Sequence, residues 1–429
     1  MKNYFNFKFL LIATFALTLF SCSEEVDSDS LQNIEESDSF DSANTVGDSQ
    51  LIPGQYIVVL NDDVAKGTAS KTNAGARENV LDVLQSILSE NNSSESKTST
   101  SLEALNVYSK SISGATLKLS ETQVEFLRKD KRVSYVEQDR IVQFAPPCGT
   151  PNGGPCDPAE PTDPVDDGGG DTSSQETPWG ITRVNGAASY TGTNVAWILD
   201  SGIDLDHPDL NVDATRGFNA FTKGRDGKST DDGNGHGSHV AGTIAALNNS
   251  IGVIGVAPGA TVVPVKVLDS NGSGSYSGVI AGVDHVAANG TAGDVANMSL
   301  GGPVSVALED AIKAAAQQGI NFMLAAGNEA QDANNVSPAR VNGANIYTIS
   351  AMSEGDNWAS FSNFGNPPVD FCAPGVSVKS TWKDGAYNTI SGTSMATPHA
   401  AGILLLGAAS TSGTVNGDPD GTPDAIITH

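Results

Sequence analysis

Hydrophobic residues in the second half of the chain form two kinds of pattern. The runs Val195–Leu199 and Ile320–Ala325 are continuously apolar, which predicts strands buried on both faces of a sheet. An Ala/Leu-rich segment that begins at Ser394 predicts a helix, with Pro398 tolerated in its first turn. Buried strands that alternate with helices from Trp179 onward are typical of a doubly wound parallel sheet, so the predicted fold class is α/β.

Residues 51–144 carry shorter apolar patterns, and we expect them to form a separate small α+β domain. The predicted elements are, in chain order, the strand Gln55–Leu60, the helix Glu78–Leu88, the strand Ala115–Leu119, the helix Glu121–Lys129 and the strand Val133–Val136. This order predicts a ferredoxin-like sheet. An unrelated small binding domain remains the alternative interpretation.

Composition narrows the class of function. The chain has 429 residues, with 23 Lys and Arg against 50 Asp and Glu, for a net charge of -27. This length allows one catalytic-size domain and a smaller one. The acidic balance argues against nucleic-acid binding, which needs clustered basic residues, and it fits an exported protein whose loops can hold calcium. The four cysteines are too few for a disulfide scaffold.

The N-terminus has the pattern of a targeting segment. Basic residues precede the apolar run Phe9–Phe20, and Leu19-Phe20-Ser21-Cys22 resembles the lipobox of bacterial lipoproteins. We therefore predict a signal peptide over residues 1–21 and lipidation of Cys22, which would anchor the precursor at the outer membrane or the cell surface. Residues 22–50, acidic and Ser-rich, are predicted to be a tether. An ordinary secretory signal with a chance cysteine is the alternative.

Residues 145–173 are rich in Pro, Gly and Asp and have no periodicity, which predicts a linker. Cys148 and Cys156 within it can close a small disulfide in an oxidising compartment. With two thiols and no nearby histidine, a disulfide is favoured over a metal clip.

An aspartate and a histidine are the first candidate catalytic residues. Asp200 follows the predicted strand 195–199, at the edge where such sheets bind ligands, although an aspartate there often only caps a turn. His236 lies between Gly235 and Gly237, where a helix begins. The positive end of that helix disfavours a charged imidazole, which suits a neutral general base. A lone histidine in a glycine loop is more often incidental; His239, within the helix, is expected simply to pack there.

A serine and an asparagine supply further candidate groups. Ser394 precedes an apolar run and by itself is most simply a helix cap. The positive end of a helix also suits a serine whose reaction develops negative charge. Asn328, after the run 320–325, can donate a side-chain N–H to a reacting centre, although a Gly-Asn pair is often only a turn.

Together these four motifs are specific. Asp200 in DSGID, His236 in GNGHGSHVAGT, Asn328 in AAGNE and Ser394 in GTSMATPH strongly resemble the subtilisin-type serine endopeptidases, from about residue 174 to about 410. The resemblance implies a subtilisin-like catalytic domain over residues 174–429. It implies that Ser394 is the nucleophile, His236 the general base and Asp200 the residue that orients it, with Asn328 in the oxyanion hole.

The small domain shows a second resemblance. Tyr56-Ile57-Val58-Val59-Leu60 and Val136-Glu137-Gln138-Asp139 are similar to the inhibitory propeptide of subtilisin-type proteases. By that resemblance, residues 51–144 fold with the catalytic domain and inhibit it with the segment near 143–145. Autocatalytic cleavage within 145–174 would then release the mature enzyme.

The resemblance also identifies candidate substrate-binding residues. The segment Gly272-Ser273-Gly274-Ser275-Tyr276 looks like the edge strand that pairs with an extended peptide, with Tyr276 as the wall of an outer subsite. Two segments look like the walls of the primary specificity pocket: Ser299-Leu300-Gly301-Gly302 and Ala325-Ala326-Gly327. Their small residues leave room for a large apolar side chain, so we expect broad specificity.

A calcium site is implied in the same way. Leu247-Asn248-Asn249-Ser250-Ile251-Gly252-Val253 resembles the calcium loop of bacterial subtilisins. The implied ligands are the side chains of Gln175, Asp209 and Asn249 and the backbone carbonyls of Leu247, Ile251 and Val253. Six oxygen ligands suit a structural Ca²⁺ ion and not Zn²⁺. A glycine loop without an ion is the alternative.

The sequence thus predicts a secreted serine endopeptidase that is autoprocessed from a pre-pro precursor. Its partners are polypeptide substrates and its own propeptide, and we expect the mature enzyme to be a secreted monomer. A non-catalytic surface lipoprotein that uses the fold for binding is the alternative; such a protein would have a broken triad.

Overall fold

The computed structural model describes residues 50–68, 72–90, 102–143 and 174–429. The predicted signal peptide, most of the tether and the linker lie outside the described residues, as do Cys22, Cys148 and Cys156. The N-terminal elements are β1 (Leu51–Leu60), α1 (Asp62–Thr68), α2 (Asn73–Glu90), β2 (Ala104–Tyr108), β3 (Gly114–Lys118), α3 (Glu121–Lys129) and β4 (Val133–Gln143).

The remaining elements belong to the C-terminal part of the chain. The helices are α4 (Trp179–Arg183), α5 (His236–Ala245), α6 (Tyr276–Asn289), α7 (Val306–Ala316) and α8 (Thr393–Leu406). The strands are β5 (Ala196–Asp200), β6 (Phe218–Asn219), β7 (Val262–Lys266), β8 (Ser273–Ser275), β9 (Val295–Met298), β10 (Gly302–Pro303), β11 (Asn321–Ala325), β12 (Val336–Ser337), β13 (Ile346–Ser353), β14 (Asn357–Trp358), β15 (Val369–Pro374), β16 (Val378–Thr381), β17 (Tyr387–Ile390), β18 (Ser410–Thr414) and β19 (Ala425–Thr428).

The N-terminal domain is a ferredoxin-like sheet with one strand more than the sequence predicted. Its strand order is β2-β3-β1-β4, with β1 antiparallel to both of its neighbours. The predicted order of strand, helix, strand, helix, strand was wrong because it omitted α1 and β2, so two helices follow β1 and two strands separate α2 from α3. The helix α3 has the predicted bounds and begins with a capping box between Ser120 and Gln123.

The strand β1 is buried on both faces, which explains its continuous apolar run. Tyr56 and Val58 pack with α2 and α3 in the core of the N-terminal domain. Ile57 and Val59 belong instead to the core that surrounds α6 and α7. The N-terminal domain therefore packs through its sheet against two helices of the C-terminal domain.

The C-terminal domain is built on a sheet whose strand order is β18-β19-β15-β13-β11-β9-β5-β7-β6. Every pairing from β19 to β6 along this order is parallel, and the hairpin β18–β19 is antiparallel. The predicted α/β fold is thus confirmed, with the qualification that its edge is mixed. The predicted strands at 195–199 and 320–325 are β5 and β11.

Helices cover both faces of this sheet. Apolar residues of α6 and α7 form one core with Trp197 and Phe322, whereas those of α5 and α8 form the other core with Ile198 and Met323. Consecutive residues of β5 and β11 therefore face opposite layers, as the continuous apolar runs require. Within the described residues, no helix has the length and apolar character needed to cross a membrane.

Candidate active site

The predicted aspartate and histidine form a buried pair. Asp200 is the last residue of β5, and His236 is the first residue of α5. The His236 Nδ1 atom lies 2.9 Å from each carboxylate oxygen of Asp200. Both side chains are almost completely buried. This geometry holds the Nδ1 proton against the carboxylate and leaves Nε2 as the basic nitrogen.

Glycines on either side of His236 are required by close contacts. A Cβ atom at Gly235 would lie 2.2 Å from the Trp382 ring, at a φ of +116°. At Gly237 it would lie 2.0 Å from the carbonyl oxygen of Gly202. The two glycines thus permit the Trp382 ring and the Gly202 backbone to approach closely around His236.

A second buried aspartate, which sequence analysis missed, holds the loop before His236. The Asp232 carboxylate accepts hydrogen bonds from the backbone N–H groups of Asn234, Gly235 and Ser238 and from the Ser238 hydroxyl. It also accepts one from the Ser201 hydroxyl. The feature of the sequence that could have indicated this role is the acidic pair Asp231-Asp232, directly before the glycine loop.

The electrostatics of His236 differ from the expectation based on its helix. Burial by itself disfavours the imidazolium, but the charge and hydrogen bond of Asp200 outweigh this effect and raise the pKa of His236 above its ordinary value of 6.5. The expectation that the charged form is disfavoured was therefore wrong. His239 does pack within the helix as predicted: it is buried, its Nε2 lies 2.9 Å from the Val378 carbonyl oxygen, and burial lowers its pKa to about 3.

The predicted nucleophile lies at the start of α8. Ser394 is the second residue of the helix, is 2% exposed, and donates its hydroxyl to the Ser299 carbonyl oxygen at 3.4 Å. Pro398 is not in the first turn, as predicted, but a full turn inside the helix. The prediction was a miscount, because even in a helix that starts at Ser394, Pro398 would be the fifth residue and would lie beyond the first turn.

Asn328 is joined to the same helix end. Its Oδ1 atom accepts hydrogen bonds from the backbone N–H and the hydroxyl of Thr393, at 2.9 and 2.8 Å. The Nδ2 amide is therefore the group that remains to donate, and it lies 3.2 Å from where a Cβ atom of Gly392 would be. Asn328 is thus bonded to Thr393, the residue before Ser394, and its amide donor lies at the start of the helix that carries the hydroxyl.

The two segments predicted to wall the primary specificity pocket both contribute residues to one surface pocket. The pocket is small and partly open to solvent, and it is lined by Leu300, Gly301, Gly302, Ala325, Gly327, Glu329, Val336 and Ala339. The predicted Ser299 and Ala326 are completely buried outside this lining. Glu329, which sequence analysis did not assign to the pocket, is held there by a hydrogen bond from the Asn363 amide.

The predicted edge strand, β8, is paired with a strand of the N-terminal domain in this structure. β8 is paired antiparallel with the end of β4, in the register Ile141 to Ser275, Val142 to Gly274 and Gln143 to Ser273. The N-terminal domain thus extends its own sheet onto β8, next to Gly272. Tyr276 begins α6 below this pairing, is completely buried, and donates its hydroxyl to the Pro303 carbonyl.

Five of the six predicted calcium ligands have oxygen or amide groups that converge. The Gln175 Nε2 atom donates to the carbonyl oxygens of Leu247 and Val253, at 2.6 and 3.2 Å, and lies 3.5 Å from Asn249 Oδ1. The Asp209 carboxylate accepts from the Asn249 amide and from the Val253 N–H. For the sixth residue, Ile251, the structure gives a backbone N–H bond to Asn249 Oδ1, not the position of its carbonyl.

Comparison with known proteins finds two families that this chain matches. Residues 191–413 match the model of the subtilase family, and residues 55–145 match that of the peptidase inhibitor I9 family. A crystal structure described as a cold adapted subtilisin-like serine proteinase is 42% identical and covers 53% of this chain and 83% of its own, with a TM-score of 0.48.

Three curated relatives are similar in sequence. The alkaline serine exoprotease A of Vibrio alginolyticus is 43% identical over 316 residues, which cover 71% of this chain and 53% of that protein. The M-protease of Shouchella clausii is 43% identical over 68% of this chain and 67% of its own length, and subtilisin E of Bacillus subtilis is 41% identical over 69% and 71%. The chain thus spans about half of the first relative and about two thirds or more of the others. It belongs to the subtilase family.

Proposed function

We propose that this chain is the precursor of a secreted serine endopeptidase that cleaves proteins through an acyl-enzyme. The observation that carries the proposal is the Asp200–His236 pair, in which both carboxylate oxygens lie 2.9 Å from Nδ1. Membership of the subtilase family and the position of Ser394 at a helix N-terminus support it.

In the proposed reaction, Ser394 Oγ attacks the scissile carbonyl while His236 Nε2 takes its proton. His236 then returns the proton to the leaving amine, and water attacks the acyl-enzyme in the second half of the cycle. Asp200 fixes the imidazole tautomer and stabilises the imidazolium. The Asn328 amide and the Ser394 backbone N–H donate to the oxyanion, where charge develops in the transition state.

We propose that the pocket beside Gly327 receives the side chain on the acyl side of the scissile bond, and that it favours large apolar groups. Leu300, Ala325 and Val336 give it apolar walls, and Glu329 adds a carboxylate that disfavours acidic side chains. Specificity is therefore expected to be broad but to exclude Asp and Glu.

Residues 51–144 are proposed to inhibit the enzyme until they are cut away. The match to the inhibitor I9 family and the pairing of β4 with β8 support this role, because β4 ends at Gln143, directly before the linker. A substrate strand would pair with β8 in the same way. Autocatalytic cleavage within 145–174 would free the edge strand.

A structural calcium ion is proposed at the loop 247–253. The single amide group of Gln175 contacts three of the predicted ligand oxygens, so these oxygens already surround one point, and Asp209 adds a carboxylate. Oxygen donors of these kinds fit Ca²⁺. When bound, the ion would hold the loop against residue 175 and take no part in the chemistry.

Export and anchoring are proposed from the N-terminal sequence alone. The apolar run before Cys22 supports export, and the lipobox-like tetrapeptide supports lipidation of Cys22. Because the lipid would be attached to the propeptide side of the linker, cleavage would release the catalytic domain as a secreted monomer.

The experiment that tests the proposed function compares the full chain with its Ser394→Ala variant. The wild-type chain is expected to process itself within 145–174 and then to hydrolyse casein and chromogenic peptides with a large apolar residue before the scissile bond. The variant should remain a full-length precursor without activity. Normal processing of purified Ser394→Ala in the absence of other proteases would contradict the proposal.

A further inference from the structure

Pro398 interrupts the hydrogen bonding of α8 behind the nucleophile. A proline inside a helix has no N–H for the carbonyl four residues earlier, which here is that of Ser394, and its ring crowds that carbonyl. Three consecutive carbonyls in this turn accept hydrogen bonds from side chains, and that of Ser394 is the one whose helical N–H partner is replaced by the Pro398 ring. The pairs are Thr393 with the Thr397 hydroxyl at 2.7 Å, Ser394 with the Ser299 hydroxyl at 2.9 Å, and Met395 with His399 Nδ1 at 2.9 Å.

Of these three donors, only Ser299 comes from outside α8. It directly follows β9, a central strand of the large sheet, and its side chain is completely buried. The Asn297 amide donates to the Ser299 hydroxyl at 2.9 Å, so the single hydroxyl proton is directed to the Ser394 carbonyl. A chain of two hydrogen bonds therefore runs from β9 to the peptide group of the nucleophile.

We propose that the Ser299 side chain is a positioning residue for Ser394, because it supplies the hydrogen bond that Pro398 cannot. The Ser394 peptide is thereby fixed by the sheet that also carries Asp200, and not by its own helix. The Ser394 hydroxyl lies 3.4 Å from the Ser299 carbonyl oxygen, so one residue contacts both the backbone and the side chain of the nucleophile. This inference rests on the proposed function, and it adds a role for the Ser299 side chain, which is buried outside the specificity pocket.

The first test is Ser299→Ala in the full chain. Loss of the donor leaves the buried Ser394 carbonyl unpaired, and the nucleophile is expected to shift. We expect kcat to fall about tenfold, or about 1.4 kcal/mol, with KM within twofold of the wild-type value. The control is Ser350→Ala, which removes another buried serine hydroxyl, hydrogen-bonded to Asp424, away from the cleft. It should leave kcat unchanged. A wild-type kcat for Ser299→Ala, or a rise in KM alone, would overturn the inference.

The second test is a double-mutant cycle with Pro398→Ala. An alanine restores a backbone N–H that can donate to the Ser394 carbonyl, so it should replace the donor lost in Ser299→Ala. The effect of Ser299→Ala on kcat is therefore expected to shrink from about tenfold to about twofold in the Pro398→Ala background. Equal effects in both backgrounds would show that the Ser299 hydroxyl does not act through this carbonyl.

The same cycle measured on stability separates this inference from the proposed function. In full-length protein carrying Ser394→Ala, Ser299→Ala should lower Tm by several degrees with Pro398 present and by less with Ala at position 398. The Tm measurement does not depend on catalytic activity. If the wild-type chain were inactive, the proposed function would be refuted, but the Tm values would still test the hydrogen bond. Additive changes in Tm would refute the hydrogen bond, whatever the activity.

Discussion

The Asp139 carboxylate of the propeptide accepts a hydrogen bond from the backbone N–H of Ser277, in the first turn of α6, at 3.1 Å. Two residues earlier on β4, the Glu137 carboxylate accepts one from Ala307 N–H, at the start of α7. One strand thus places a carboxylate at the positive end of each helix. These contacts fix β4 in the register that carries its end onto β8.

The Asp139 contact should therefore contribute to inhibition. We predict that Asp139→Ala weakens binding of the propeptide by roughly 10- to 100-fold, because hydrogen bonds to a buried charged group contribute about 1.5–3 kcal/mol. When the full-length protein processes itself, the lag between cleavage and the appearance of activity should then be shorter. Asp139→Asn keeps an acceptor for Ser277 and should have a smaller effect.

A matched control lies on the exposed surface of the same domain. Glu103 forms an ion pair with Lys118 on the exposed surface, and Glu103→Ala should leave the lag unchanged. If the lag of Asp139→Ala equalled that of this control, the contact would be irrelevant to inhibition.

The second prediction concerns the pH dependence of catalysis. Asp200 raises the pKa of His236 above 6.5, and the general base must be neutral, so kcat/KM should fall as the pH drops through that raised value. Asp200→Asn removes the charge. It should shift the acid limb to lower pH and reduce kcat by on the order of 10⁴. An acid limb that is unmoved in Asp200→Asn would mean that another group titrates there.

The third prediction concerns acid stability. Burial lowers the pKa of His239 to about 3 and that of His399 to about 4. The unfolded chain protonates both near 6.5, so the folded state loses stability as the pH falls from 6.5 towards 4, by about 1.4 kcal/mol per pH unit for each histidine.

This slope can be measured as the free energy of unfolding of the Ser394→Ala protein, in which self-cleavage does not interfere. His399→Asn keeps a donor for the Met395 carbonyl but does not titrate. The dependence of the unfolding free energy on pH should therefore decrease by about 1.4 kcal/mol per pH unit, the contribution of one histidine. An unchanged slope would show that His399 is protonated equally in the folded and unfolded states.

The fourth prediction tests the calcium site by stability. Calcium at about 100 times its Kd should stabilise the protein by about 2.7 kcal/mol, or raise Tm by roughly 5–10 °C, and a chelator should reverse the change. Asp209→Asn should remove most of this increment. Asp213→Asn, which changes the cap of a short 3-10 helix, should retain it. An equal calcium response in both variants would place the ion elsewhere.

Much of the fold could be predicted from local pattern. The runs that predicted β5 and β11 are apolar because both faces of the sheet are covered, and the start of α3 follows from its capping box. β2 was missed because its pattern is weak: Ala104–Tyr108 is mostly only half-buried, at the sheet edge. The start of α8 at Thr393 was not predicted, because its N–H is bonded by Asn328, which is distant in sequence.

The sequence predicted which residues form the site, but it did not predict the hydrogen bonds that hold them in place. Asp200, His236, Asn328 and Ser394 lie in motifs, whereas the bond from Ser299 to the Ser394 carbonyl joins residues 95 positions apart. The direction of the His236 pKa shift also needed the 2.9 Å contact with Asp200, since the helix alone predicts the opposite sign.

The measurement that tests the central claim most directly is labelling of the processed protein with a fluorophosphonate probe, followed by mapping of the modified peptide by mass spectrometry. We predict stoichiometric labelling of Ser394, no labelling of Ser394→Ala, and loss of labelling in His236→Ala, because the probe reacts only with an activated serine. Processed wild-type protein that is folded but carries no label at Ser394 would contradict the assignment of this chain as a serine endopeptidase.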